Sequence, residues 1–136
     1  MKLIFTLLLA TIAFNLKGQH PSTDPKVAML YKFYTAYITE CSSSNDKAEL
    51  NLLLLRKKYC TSNFLKQYQK LVVETDADPL INAQDSDKDF LKSLTIKKNL
   101  KRADQYVVSY GNSIEMVNIN LKVITQDGVP KISSIE

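Results

Sequence analysis

The chain has 136 residues, 45% hydrophobic and 24% charged, the values of an ordinary globular protein rather than a disordered one. Its net charge of +4 loses Lys2 and Lys17 with a removable leader, leaving 16 basic against 14 acidic residues, too mild a balance for the basic stripe that nucleic acid requires. A single His, only three Gly, and no G-x-S-x-G, P-loop or G-x-G-x-x-G motif argue against His-based nucleophilic catalysis and nucleotide chemistry, and no cofactor is expected.

Met1-Lys2 opens a positive segment, and residues 3–14 are apolar apart from Thr6 and Thr11. That length suits a signal-peptide core and falls short of the roughly 20 residues that span a bilayer. Residues 1–18 therefore read as a signal peptide cut after Gly18, and residues 19–136 as one exported domain, periplasmic or secreted, with no transmembrane segment. No Cys precedes Cys41, which argues against a lipid anchor.

Residues 24–73 read as helical. Ser22, Thr23 and Asp24 are candidate N-caps, and Pro25 sits at the first helical position, where a missing N–H costs nothing. Apolar residues at 27, 30, 31, 34, 37, 38 and 41 form the stripe of an amphipathic helix, with Phe33 at its edge. Tyr31, Tyr34 and Tyr37 lie on this stripe. Core packing is the plainer reading of them, and a tyrosine-lined pocket is the alternative. A polar connection at 41–46 leads to a second helix, 47–58, with Leu50, Leu53, Leu54 and Tyr59 expected on its inner side. Arg56, Lys57 and Lys58 near its end read as a solvated basic terminus that complements the helix dipole. Thr61-Ser62 caps a third helix through Phe64, Leu65, Tyr68, Leu71 and Val72.

Two cysteines in an exported chain favour a disulfide between Cys41 and Cys60. A straight helix over 47–58 would separate them by about 18 Å, against the roughly 7 Å that a bridge tolerates, so buried free thiols or an intermolecular bridge remain the alternatives. Metal binding by two lone Cys is not expected.

Residues 74–89 join the helical half to the strand half. Four Asp fall within residues 76–87. A calcium loop would want a glycine and a bidentate Glu that are missing here. An acid/base pair would need burial, which only Asp78 and Asp85 have the apolar flanks to suggest. The preferred reading is a structural joint in which Asp78-Pro79 starts a turn and Gln84, Asp85 and Asp87 satisfy backbone groups. Asp78, Gln84 and Asp85 are the candidate binding residues if the joint is also a site.

Residues 90–136 read as strands. A short helical turn or strand start at Phe90-Leu91 precedes strands at 94–96, 106–110 and 114–125, the last alternating Ile114, Met116 and Asn118 against Val117, Ile119, Leu121 and Val123. Asp127-Gly128 predicts a hairpin, and Pro130 demotes part of the return strand to an edge or bulge. Helices first and an antiparallel meander of about four strands afterwards specify an α+β class, with helices on one face of a curved sheet.

The motifs Y-K-F-Y-T-A-Y at 31–37, R-K-K-Y-C-T at 56–61, D-A-D-P-L-I-N-A-Q-D at 76–85 and D-G-V-P-K-I at 127–132 together resemble the YbjP/YqhG-like family of exported bacterial proteins, over about residues 26–136. The resemblance implies a cystatin- or NTF2-like fold and carries no established activity, hence no catalytic residue. The reading preferred from the sequence is an exported, non-catalytic binding module for a protein partner in the cell envelope, of inhibitor or immunity type. The alternative is an NTF2-like small-molecule binder or enzyme with the Tyr31, Tyr34 and Tyr37 pocket.

Overall fold

The computed structural model describes residues 23–83 and 86–136. The signal-peptide reading of 1–18, together with Gln84 and Asp85, lies outside the described residues. Helix α1 (Pro25–Cys41) starts as its sequence dictates: the Asp24 side chain accepts from Lys26 N at 2.8 Å and Pro25 occupies the first turn. Helix α2 (Ala48–Tyr59) and helix α3 (Ser62–Thr75) are separated by a sharp extended pair, Cys60-Thr61, with Thr61 Oγ1 accepting from Phe64 N at 3.2 Å. Asp76, at φ 52°, ends α3 in the left-handed conformation that often closes helices. A single turn, α4 (Phe90–Ser93), precedes the strands β1 (Thr95–Lys98), β2 (Gln105–Gly111), β3 (Met116–Gln126) and β4 (Val129–Ile135).

The four strands form one antiparallel sheet in the order β1-β2-β3-β4, a meander. The architecture is α+β, the class the order of elements specifies. Period-2 alternation gives the sheet one apolar face. Ile96, Val108 and Ile119 are register neighbours across β1, β2 and β3, as are Tyr106 with Leu121 and Val123 with Ile132, and all seven are buried. Helix α1 packs Leu30, Phe33, Tyr34, Tyr37 and Ile38 into the same core. Phe33 is fully buried and Tyr31 takes the edge, the reverse of the two places expected for them. Strand β3 begins at Met116, and Ile114, expected within it, is exposed.

The hairpin forms at Asp127-Gly128, where φ values of 52° and 77° match the type I′ turn that suits strand twist. Strand β4 is an edge strand with a register shift opposite Lys122 and Val123, so Pro130 sits where a missing N–H does no harm. Thr61 N donates to Ile132 O at 2.9 Å, so the α2–α3 connection covers part of the free edge of β4.

Helix α2 departs most from expectation. Its buried residues are Leu52 and Arg56, with Leu55 and Tyr59 packed beside them on the same stripe. Leu50, Leu53 and Leu54, expected inside, face solvent. The helix carries Leu on every side, so the sequence offers two apolar stripes and packing chooses between them.

Candidate functional site

Turning α2 this way drives Arg56 inward, where it is 9% exposed. It is not part of a solvated basic terminus. Its Nη1 donates to the Tyr37 hydroxyl of α1 at 2.7 Å and to the Tyr68 hydroxyl of α3 at 3.2 Å. The guanidinium carbon also lies 4.9 Å from the Tyr68 ring centroid, within cation–π range. Tyr37 donates its one proton to Asp78 Oδ2 at 2.6 Å, so the 3.4 Å contact between the Tyr37 and Tyr68 hydroxyls has Tyr68 as donor. Three helices and the joint loop thus meet in one chain of polar groups, Arg56 to Tyr37 to Asp78, with Tyr68 bridging the first two.

Asp78 serves the loop as well as the site. Its Oδ1 accepts from Leu80 N at 2.9 Å, and its backbone N–H reaches Ala83 O at 3.2 Å. Leu80 and Ile81 consequently point into the core, and the Tyr110 hydroxyl donates to Ile81 O. The joint reading therefore holds for one Asp78 oxygen, while the other belongs to the network. Asp87 accepts from Asp89 N at 2.9 Å, a local turn contact.

A cavity of about 330 Å³ opens beside this network, with Arg56, Tyr68, Asp78, Cys41, Leu52 and Ile81 among its walls and the exposed side chains of Glu49 and Gln69 at its rim. Burial pushes the Tyr68 phenol up to about 12 and the Tyr37 phenol far above its ordinary range, so both remain neutral hydroxyls. Burial also pushes the Cys41 thiol up to about 12, with the Asp78 charge adding to the effect. A thiol so placed is a poor nucleophile. The cavity is equipped to hold a ligand by hydrogen bonds and charge; neither its tyrosines nor its thiol ionises near neutral pH.

Cys41 and Cys60 are both free, Cys60 buried and Cys41 partly so, which leaves the unbridged alternative in place of the disulfide. Among the described residues no group of three His, Cys, Asp or Glu could hold a metal ion. The three tyrosines proposed to share a pocket do not converge. Tyr37 joins the Arg56 network. Tyr34 is sealed in the core, its hydroxyl without a hydrogen-bond partner among the described residues. Tyr31 lies at the surface edge of α1 and accepts from Ile96 N of the edge strand β1 at 3.2 Å. Arg56 and Tyr68 were missed as site residues; the available signal was an Arg three and four positions from Tyr59 and Leu52 on a helix otherwise rich in Leu.

A second concavity, about 800 Å³ and open along its length, runs between the outer faces of α1 and α2. Thr35, Ala36 and Thr39 of α1 line it with small side chains, Leu54 and Leu55 of α2 with apolar ones, and its charged lining is Lys32, Lys58 and Glu40, the last accepting from Asn51 Nδ2 at 3.1 Å. Leu50, Leu53 and Leu54 continue the apolar surface onto the exposed side of α2, with Leu54 55% exposed.

Among the described residues no helix is long and apolar enough to cross a membrane. A scan against protein-family models finds no match, and neither does a search of curated proteins. Among solved structures, the crystal structure of a protein of unknown function from Bacteroides thetaiotaomicron VPI-5482 is similar, with a TM-score of 0.75 and 28% identity over 82% of this chain and 88% of that one.

Proposed function

We propose that this chain is an exported, non-catalytic binding module that receives a protein partner on the outer face of α1 and α2. The observation that carries this reading is the orientation of α2: its Leu50, Leu53 and Leu54 ridge faces solvent beside a groove of about 800 Å³, while its Arg faces the core. A helix that places leucines outside and a charge inside forgoes apolar burial unless something else covers the leucines. The small side chains of Thr35, Ala36 and Thr39 let a backbone approach closely, as a third helix laid between α1 and α2 would require. Lys32 and Lys58 against the single carboxylate of Glu40, itself bonded to Asn51, leave the groove net positive and favour acidic residues, so the occupant is an amphipathic helix of a partner with an apolar face and an acidic border. Export, supported by the apolar run at 3–14, places that partner in the cell envelope or outside it.

The test uses the full chain in intact cells, with a photo-crosslinking residue at Leu54 or, as a control, at the exposed Val73 of α3. The partner captured only at Leu54 is then purified and its affinity measured. Leu54→Glu and Lys58→Glu should each weaken binding by roughly tenfold or more, with thermal stability unchanged. Equal capture at both positions, a crosslinked dimer of this chain, or an affinity indifferent to Leu54→Glu would overturn the proposal.

A further inference from the structure

We infer that the cavity at Arg56 is a binding site for a small carboxylate with a short apolar body, a function independent of the outer α1–α2 face. Arg56 is buried, and among the described residues no carboxylate oxygen lies within 4.0 Å of it. Its Nη1 spends both protons on Tyr37 and Tyr68. Nε and Nη2 have no partner among the described residues, neither counts among the sealed unpaired atoms, and Arg56 lines a cavity of about 330 Å³, which leaves this edge of the guanidinium for a ligand there. Nε–H and the nearer Nη2–H point in parallel, the fork that a carboxylate accepts with two oxygens. A buried guanidinium gains most from such a partner, because its charge is weakly screened there.

Among the described residues, two carboxylates share the cavity lining with Arg56, and both are engaged or distant from its Nε–Nη2 edge. Asp78 has a donor on each oxygen, Leu80 N and the Tyr37 hydroxyl, and its hydrogen-bond link to Arg56 runs through Tyr37, while its charge also acts on Arg56 across the cavity. Glu49, two helical turns before Arg56 on the same face of α2, stands at the exposed rim of the cavity, about 10 Å along the axis from Arg56. Leu52, Val72 and Ile81 supply apolar wall for the body of the ligand, and the cavity volume admits a small molecule rather than a peptide segment. Two groups fix Arg56 in advance, Tyr37 and Tyr68, and a cation held in place before binding loses little freedom when the ligand arrives.

The chain has two arginines, Arg56 and Arg102, so the arginine Nε–H region of a nitrogen-15 spectrum reads the site directly. Benzoate should move the Arg56 signal saturably and leave the exposed Arg102 signal in place. Benzamide, the neutral isostere, should leave both in place at the same concentration. Gln69→Glu adds a negative charge at the rim without touching the core. By calorimetry it should weaken benzoate about three- to tenfold, whereas Gln69→Lys should strengthen it. Arg56→Lys keeps a cation but removes the fork and should cost tenfold or more. An Arg56 signal indifferent to benzoate, an equal response to benzamide, or unchanged affinity in Gln69→Glu would overturn the assignment.

Discussion

Helices α1 and α2 lie side by side and dispose of their apolar residues in opposite ways. Helix α1 obeys its pattern: Leu30, Phe33, Tyr34, Tyr37 and Ile38 all enter the core above the sheet. Helix α2 turns Leu50, Leu53 and Leu54 outward and Arg56 inward. The difference follows from position. Helix α1 covers the apolar face of the sheet, so any rotation would strip the core of its aromatic rings. Helix α2 rests mainly on α1 with lesser contact to α3 and β4, and with leucines on every side it leaves some of them outside the core whichever way it turns. With the apolar pattern undecided, a polar network of four groups suffices to set the orientation. The buried polar residue thus reads as a specificity device, and the leucines it displaces become surface.

The sharpest way to break that contrast is to truncate one large residue on each helix. Phe33→Ala, at a fully buried site that stacks on Tyr37 with ring centroids 4.9 Å apart, should cost about 3–5 kcal/mol. Leu54→Ala on the outer side of α2 should change stability by no more than about 0.5 kcal/mol. Urea denaturation of the two variants measures both, and a comparable loss at Leu54 would mean that α2 is not oriented as described.

Alkaline pH tests the tyrosine layer as a whole. Burial pushes Tyr68 and Tyr106 up to about 12, while tyrosine in an unfolded chain titrates near 10. Because the folded values are raised, the unfolded chain releases these protons first. Their contribution to stability is complete below about pH 10 and is lost as the pH climbs toward 12. Denaturation midpoints should fall over that interval, together with a late rise in tyrosinate absorbance. A midpoint flat to pH 12 would show that these phenols are not buried.

The finest comparison sits one turn apart on α1. Tyr37→Phe removes the hydroxyl shared by Arg56 and Asp78 and should cost about 1–3 kcal/mol, because the Asp78 oxygen loses its donor. Tyr34→Phe removes a buried hydroxyl that has no partner among the described residues and should be neutral or slightly stabilising. Matched thermal melts decide the point. Equal losses would place Tyr34 in a polar contact that is absent among the described residues.

Local rules made much of this fold legible in advance. Asp24-Pro25 and Thr61 cap helices as their types require, Asp127-Gly128 forms its hairpin, and the inward run of Ile119, Leu121 and Val123 was readable from alternation alone. Each depends on neighbours within a few positions. The candidate site was only half legible. Tyr37 stands out in the sequence for its aromatic stripe and Asp78 for its turn, but Arg56 precedes Lys57 and Lys58 in a run of cations and so carries the pattern of a solvated helix end. Tyr31 and Tyr34 share the stripe with Tyr37 yet go elsewhere, since helical spacing fixes a face only to within about a hundred degrees.

The sequence by itself therefore determined the class, the order of helices before strands, the caps, the hairpin and the inner face of the sheet, because propensity and periodicity act over one or two turns of chain. The tertiary structure alone decided which side of α2 faces the core, and with it the meeting of Tyr37, Arg56, Tyr68 and Asp78 from three helices and a loop. Two apolar stripes of similar strength cannot be ranked by pattern. They are ranked by which rotation lets a guanidinium find two hydroxyls, and that depends on where α1, α3 and the joint loop already stand.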